Sequence, residues 1–151
     1  MSNYEIYSKI LTKSVSHIFL KFLNDENLDE VYEGQCNEKD PKVAVEISGT
    51  LKGEIIINIP QKTLNKISRK FIGDNKAKIT KKISADVAGE LANLITGTFA
   101  NLMQYAKHDL RLAPPEFNED PITMKALYNN VNISFESSFG GFDIDLYYRD
   151  N

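Results

Sequence analysis

Two alternating segments, each interrupted by glycines, constrain the fold most tightly. Val43, Val45 and Ile47 alternate with Ala44, Glu46 and Ser48. Beyond the 49–53 stretch, Ile55, Ile57 and Ile59 alternate with Glu54, Ile56 and Asn58. A period of two puts every second side chain on one side of a strand, so the pair reads as a β-hairpin with one buried face. Ile133 and Phe135, then Phe142, Ile144, Leu146 and Tyr148, form a second such pair around Gly140-Gly141. An apolar sheet face needs a cover, and the segments outside the hairpins supply it at helical period.

Tyr7, Ile10, Leu11, Ser14, Val15, Ile18, Phe19 and Phe22 recur at that period and predict a first amphipathic helix over 8–23. Asp40-Pro41 marks a turn before the first hairpin. Pro60 opens a shorter helix with Leu64, Ile67 and Phe71 inward and Gly73 as its C-cap. A long helix is expected from Thr80 or Ser84 to about Lys107, and Pro114-Pro115 stops anything further. The segment 122–128 is expected to form another strand. Helix followed by hairpin thus occurs twice, an internal pseudo-repeat without detectable sequence identity. The expected fold class is α+β, a mostly antiparallel sheet with helices packed on one face, built as a single domain over 1–151.

Several reaction classes lack their residues. There is no Gly-rich phosphate loop. His17 and His108 are the only histidines and no cysteine pair accompanies them, so neither a zinc site nor a cofactor of the chain's own is expected. His17 reads as a packed or half-exposed side chain rather than a base. Cys36 is the sole cysteine, which forbids an internal disulfide and suits a reducing compartment. As a phosphate-attacking nucleophile it would need an arginine after its loop, and Lys42 stands there instead. Cys36 therefore reads as a small strand or loop residue, and any phosphate chemistry must proceed without a protein nucleophile. The segment 10–23 is broken by Lys13, Ser14, Ser16, His17 and Lys21, and the first residues carry no charged leader with an apolar core. A cytoplasmic location without a membrane partner is the expectation.

Net charge is −3 but unevenly spread: 25–40 carries seven acids, while 62–82 carries eight Lys or Arg against Asp74 alone. A basic run is commonly a solvated helix face. A nucleic-acid partner is not expected, because the chain is acidic and Phe71 is the only aromatic in the run. Steering of an acidic protein partner is the third reading.

The long helix carries the chemistry. At 100° per residue, Val87, Leu91, Leu94, Ile95, Thr98 and Leu102 lie together and are expected to face the core. Asp86, Glu90, Asn93, Gly97, Asn101 and Gln104 fall within about 80° of arc on another side. Such a stripe can be mere solvation, with Asp86 complementing the helix N-terminus and Ser84 as cap. Yet it holds only acids and amides, with no lysine from Ala85 to Tyr105. Gly89 and Gly97 sit on or near it, each costing about 0.5–1 kcal/mol relative to alanine, which suits close approach of a partner. Glu90 and Asn93, three apart, project a carboxylate and a carboxamide side by side.

Asp86-x-x-x-Glu90-x-x-Asn93 followed by Pro114-Pro115 resembles the signature of the CheC/CheX/FliY phosphatases. The interval from Asn93 to Pro115 holds 21 residues, one fewer than that signature has. The length, the GTLKGEI hairpin and the SFGGFDI hairpin are also similar to CheX. Only one such site is present, since 8–23 has neither acid nor asparagine, which favours CheX over CheC. The resemblance implies a cytoplasmic enzyme of two-component chemotaxis signalling that hydrolyses the aspartyl phosphate of a CheY-like response regulator. It implies that Glu90 pairs with a lysine of that partner and that Asn93 orients the attacking water. Asp86, Gly89 and Gly97 would line the contact, Mg²⁺ would be supplied by the regulator, and the chain would be a homodimer joined through its sheets. The competing expectation is a non-catalytic dimeric adaptor of the same fold, docking a response regulator or flagellar switch component. The Glu90/Asn93 pair argues against it, since an adaptor has no need of that asparagine.

Overall fold

The computed structural model describes residues 1–118 and 127–150. In chain order the elements are α1 (Asn3–Leu23), β1 (Asp29–Val31), β2 (Lys42–Gly49), β3 (Leu51–Asn58), α2 (Gln61–Ile72) and α3 (Lys81–Met103). A 3₁₀ turn (Gln104–Ala106), β4 (Leu110–Leu112), β5 (Glu116–Asn118), β6 (Asn129–Ser137) and β7 (Gly140–Asp150) follow. The sheet order is β1-β6-β7-β3-β2-β4, with β5 also on β2, and every described pairing is antiparallel.

The two alternating hairpins, β2–β3 and β6–β7, lie back to back, joined by β3 against β7 from Leu51↔Asp150 to Asn58↔Asp143. The short strand preceding each hairpin crosses to the other one: β1 pairs with β6, while β4 and β5 pair with β2. Helix, short strand and hairpin therefore occur twice in matching relation, which is the pseudo-repeat expected from the sequence. Two glycines are demanded here. Gly140 turns β6 into β7 at φ +122°, and a side chain at Gly53 would run into the Tyr147 carbonyl across the β3–β7 pair.

Inward positions of all four long strands meet α1, α2 and α3 in one core, including Val45, Ile57, Ile133, Ile144 and Leu146. Phe142 stacks between Phe19 and Phe135 at centroid distances of 5.0 and 5.2 Å. Helix ends follow local chemistry. Ser2 Oγ accepts from the Glu5 N–H and Thr80 Oγ1 from the Ile83 N–H, and Gly73 closes α2 in the left-handed region.

Some expectations need correction. α1 begins at Asn3, because Ser2 caps it, and Phe22 and His17 are exposed rather than packed. Ser84 does not cap α3: its hydroxyl donates to the Lys81 carbonyl, one turn inside a helix that Thr80 has already capped. α3 ends at Met103, where the 3₁₀ turn and the left-handed Lys107 (φ 69°) break it ahead of the prolines. β1, β4 and β5, three residues each, are too short to show alternation. Of the strand expected at 122–128, positions 122–126 lie outside the described residues, and Leu127 and Tyr128 form a bend into β6.

Candidate functional site

α3 lies over the sheet and is buried through Ser84, Val87, Ala88, Leu91, Ala92, Ile95, Thr96, Phe99 and Met103. Val87, Leu91 and Ile95 match the expected core face, but Leu94, Thr98 and Leu102 are only half-buried. On the helical wheel the centre of the buried face is rotated by roughly 70° from the expected one. The shift comes from Ala88, Ala92, Thr96, Phe99 and Met103, which are buried on the side the expected face left out. The rotation places the polar stripe diametrically opposite the core, aimed straight into solvent. Asp86, Glu90, Asn93, Asn101 and Gln104 are all exposed, and Gly97 lies among them.

Glu90 and Asn93 make no hydrogen bond or ion pair with any other described residue, although neighbouring positions three apart bring their Cβ atoms to ~5–6 Å. Asp86 does have a partner: Lys82 Nζ donates to its carboxylate at 3.0 Å, one turn back on the same helix. Both groups are well exposed, so the pair adds little to stability. Sequence reading missed Lys82 because it lies just before the lysine-free stretch.

The two glycines differ. A Cβ at Gly89 would sit 3.6 Å from Pro115 Cγ, an ordinary contact, so Pro115 rests against α3 one residue before Glu90. The proline singled out with the Glu/Asn pair is thereby brought to it, carried on the connection between β4 and β5. A Cβ at Gly97 would meet nothing within 4 Å among the described residues. Packing among them thus does not require glycine at position 97.

At its C-terminal end α3 is tied down by His108. Its Nε2 shares a 2.8 Å hydrogen bond with the Tyr7 hydroxyl of α1, and its Nδ1 a 3.0 Å bond with Thr50 Oγ1 at the β2–β3 turn. Burial raises the Tyr7 pKa, and Asp150 and Tyr148 push it the same way, so the phenol stays protonated at neutral pH. Both ring nitrogens of His108 are engaged in this clasp, and His17 is exposed on α1. Cys36 lies in the loop before β2 and donates to the Asn58 carbonyl, beside Asp143 on the sheet face away from the helices. Burial first, and then the Asp143 charge, push its pKa up to about 12, so the thiol stays protonated. Among the described residues no three His, Cys, Asp or Glu side chains form a metal-binding cluster. No helix among the described residues is long and apolar enough to cross a membrane. Between α1 and the end of α3 lies a groove of ≈ 650 Å³ lined by Ile6, Ile10, Lys13, Leu102, Tyr105 and Ala106, which sequence reading did not anticipate.

The arrangement presents a carboxylate and a carboxamide on a rigid outward ridge, with a bare glycine one turn beyond. A carboxamide donates and accepts at once and does not titrate, so it can hold a water in one orientation. Comparison with known proteins identifies the family and the fold. The family model for the chemotaxis phosphatase CheX matches residues 42–136. A search of curated protein sequences returns no match. The fold is similar to a CheX of Vibrio vulnificus at TM-score 0.81 and 15% identity, covering 99% of this chain and 100% of that one. It is similar to the Borrelia burgdorferi protein of a CheX–CheY–BeF₃–Mg²⁺ complex at TM-score 0.79 and 18% identity, covering 95% and 98%. FliY of Thermotoga maritima aligns at TM-score 0.65 and 15% identity, covering 96% and 90%.

Proposed function

Because the chain belongs to the CheX family of chemotaxis phosphatases, we propose that it hydrolyses the aspartyl phosphate of a phosphorylated CheY-like response regulator. The observation that carries this reading is the free, outward pair Glu90 and Asn93 on the ridge of α3. Glu90 forms an ion pair with a lysine of the partner, and Asn93 enters the partner's site and holds the attacking water in line with phosphorus. Mg²⁺, held by the regulator's own carboxylates, polarises the phosphoryl oxygens. An acyl phosphate in that setting is already electrophilic, so positioning a water is the part left to this chain. Asp86 flanks the contact, Gly97 keeps the ridge low enough for a partner's backbone to approach, and Gly89, with Pro115 against it, borders that contact. Hydrolysis at the partner's site also fits a protein whose one cysteine is protonated on the far sheet face.

The test is the lifetime of a phosphorylated CheY-type receiver with and without the protein. Shortening that disappears in Asn93→Ala supports the assignment, whereas an unchanged lifetime with the wild-type protein refutes it. The same reading includes a homodimer joined through sheet edges. Among the described residues β1 covers only Ser134, Phe135 and Glu136 of β6, which leaves the 129–133 edge without a described strand. A monomer mass by light scattering at micromolar concentration would contradict the dimer.

A further inference from the structure

The basic residues of 62–82 lie on α2, on the linker after it and in the first turn of α3, the helix that carries the ridge. Lys62, Lys66 and Lys70 stand four apart on the exposed side of α2, a helix without a single acid. Like charges at that spacing weaken a helix. Lys62 also sits in the first turn of α2, where the macrodipole disfavours a cation and the helix has no acid to compensate.

The linker between the helices is not slack. Arg69 Nε donates to the Ala77 carbonyl at 3.1 Å, and the Lys76 N–H donates to Asp74 Oδ1 at 2.9 Å. The exposed Lys76 and Lys78 are thus held against the end of α2. Among the described residues the ammonium groups of Lys62, Lys66, Lys70, Lys76 and Lys78 pair with no carboxylate. α2 packs beside α3 on the same sheet face, so their outward sides form one surface. Lys82 lies only ~12 Å along the axis from Glu90.

α2 gains nothing from this charge, so its use lies outside the chain. On the phosphatase reading, on which this step rests, the partner's reacting face carries a phosphoryl dianion and the carboxylates that hold Mg²⁺. Those charges exceed the two of the ion. Asp86 and Glu90 alone, on a chain of net charge −3, would repel such a face. We infer that the basic collar formed by α2 and the α2–α3 linker is a steering surface for the anionic face of the phosphorylated receiver, reversing the local potential beside Glu90 and Asn93. Charges at this range act through the solvent and set the association rate and its salt dependence rather than the chemical step.

The test uses Lys66→Glu/Lys70→Glu/Lys78→Glu in the full chain, with the matching Gln variant and the thermal melt as checks on folding. Association with a CheY-type receiver loaded with beryllofluoride and Mg²⁺ is followed across salt concentrations. The association rate at low salt should fall about tenfold or more, with the Gln variant intermediate and the salt slope flattened. Dissociation and the saturated dephosphorylation rate should stay unchanged. An unaltered association rate and slope overturns the steering role while wild-type phosphatase activity leaves the functional reading standing. Loss of binding to a DNA duplex or to phosphatidylserine-containing vesicles, with receiver association intact, also overturns it. A wild-type protein that neither binds the receiver nor shortens its phosphorylated lifetime removes both readings together.

Discussion

α1 and α3 do the same structural work and differ almost entirely in what they show to solvent. Both cross the same sheet face, 21 and 23 residues long, and each buries an unbroken stripe. α1 buries Tyr7, Leu11, Val15, Ile18 and Phe19, and α3 buries Val87, Leu91, Ile95 and Phe99. The outer side of α1 is an ordinary mixture of Lys9, Lys13, Ser16, His17 and Leu20, with Lys21 set over the Phe22 ring and no glycine. Beyond Lys81 and Lys82 in its first turn, the outer side of α3 carries acids, amides and Gly97, and its Glu90 and Asn93 form no hydrogen bond or ion pair with another described residue. The inner faces answer to the sheet. An outer face as selective as that of α3 answers to something beyond the chain.

The largest expected effects separate the two faces of α3. Phe99 is fully buried, so Phe99→Ala should cost about 3–5 kcal/mol and lower the denaturant midpoint sharply. Leu11→Ala in α1 should cost about 2–5 kcal/mol for the same reason. Both are read by chemical denaturation. Equal behaviour of the inner faces would sharpen the comparison, whereas a tolerant Phe99 would break it.

Asn93→Ala should do the reverse. The side chain is exposed and unbonded among the described residues, so stability should change by no more than ~0.5 kcal/mol. Loss of a positioned polar group commonly costs ~10²–10³ in rate, about 3–4 kcal/mol, and receiver binding should survive. Single-turnover decay of the phosphorylated receiver is the measurement. Alanine at Ser16 or His17 on α1 provides the contrast and should leave that decay unchanged. Near-normal activity of Asn93→Ala would make the two outer faces equivalent and end the proposed mechanism.

What the sequence made legible follows from the range of each signal. The hairpins, α2 and the polar stripe were readable because periodicity and capping are local. The stripe does lie on one side of α3, but its direction was misjudged: Phe99 and Met103, left out of the expected core line, are fully buried together with the small Ala88 and Ala92. The contact of Pro115 with Gly89 and the clasp from His108 to Tyr7 and Thr50 join residues far apart in the chain, which no local pattern encodes. The exchange of β1, β4 and β5 between the two hairpins was invisible for the same reason.

A moderate effect is expected at Glu90. Glu90→Ala removes one charge from the outer ridge and, paired with a partner lysine, should weaken receiver binding about tenfold, or ~1.4 kcal/mol, while flattening its salt dependence. Titration calorimetry at several salt concentrations reads both. An unchanged affinity at every salt concentration would take Glu90 out of the interface and leave Asn93 as the ridge's only functional group.

The smallest effect bears most directly on why the two helices differ. Glycine inside a helix is destabilising by roughly 0.5–1 kcal/mol relative to alanine, and a methyl group at position 97 would meet no described residue within 4 Å. Gly97→Ala should therefore raise stability by about that amount, a gain of a few degrees in Tm. No comparable gain is open on α1, which has no glycine to replace. If the empty space above Gly97 is kept for an approaching partner backbone, the stabilised variant should bind the receiver more weakly, and Gly97→Gln more weakly still. Stability and affinity would then move in opposite directions along one substitution series, a pattern that a merely solvated helix face cannot produce. Gly97→Ala and Gly97→Gln that are both stable and bind as well as the wild type would show that this glycine serves neither packing nor docking, and the ridge would reduce to Glu90 and Asn93 alone.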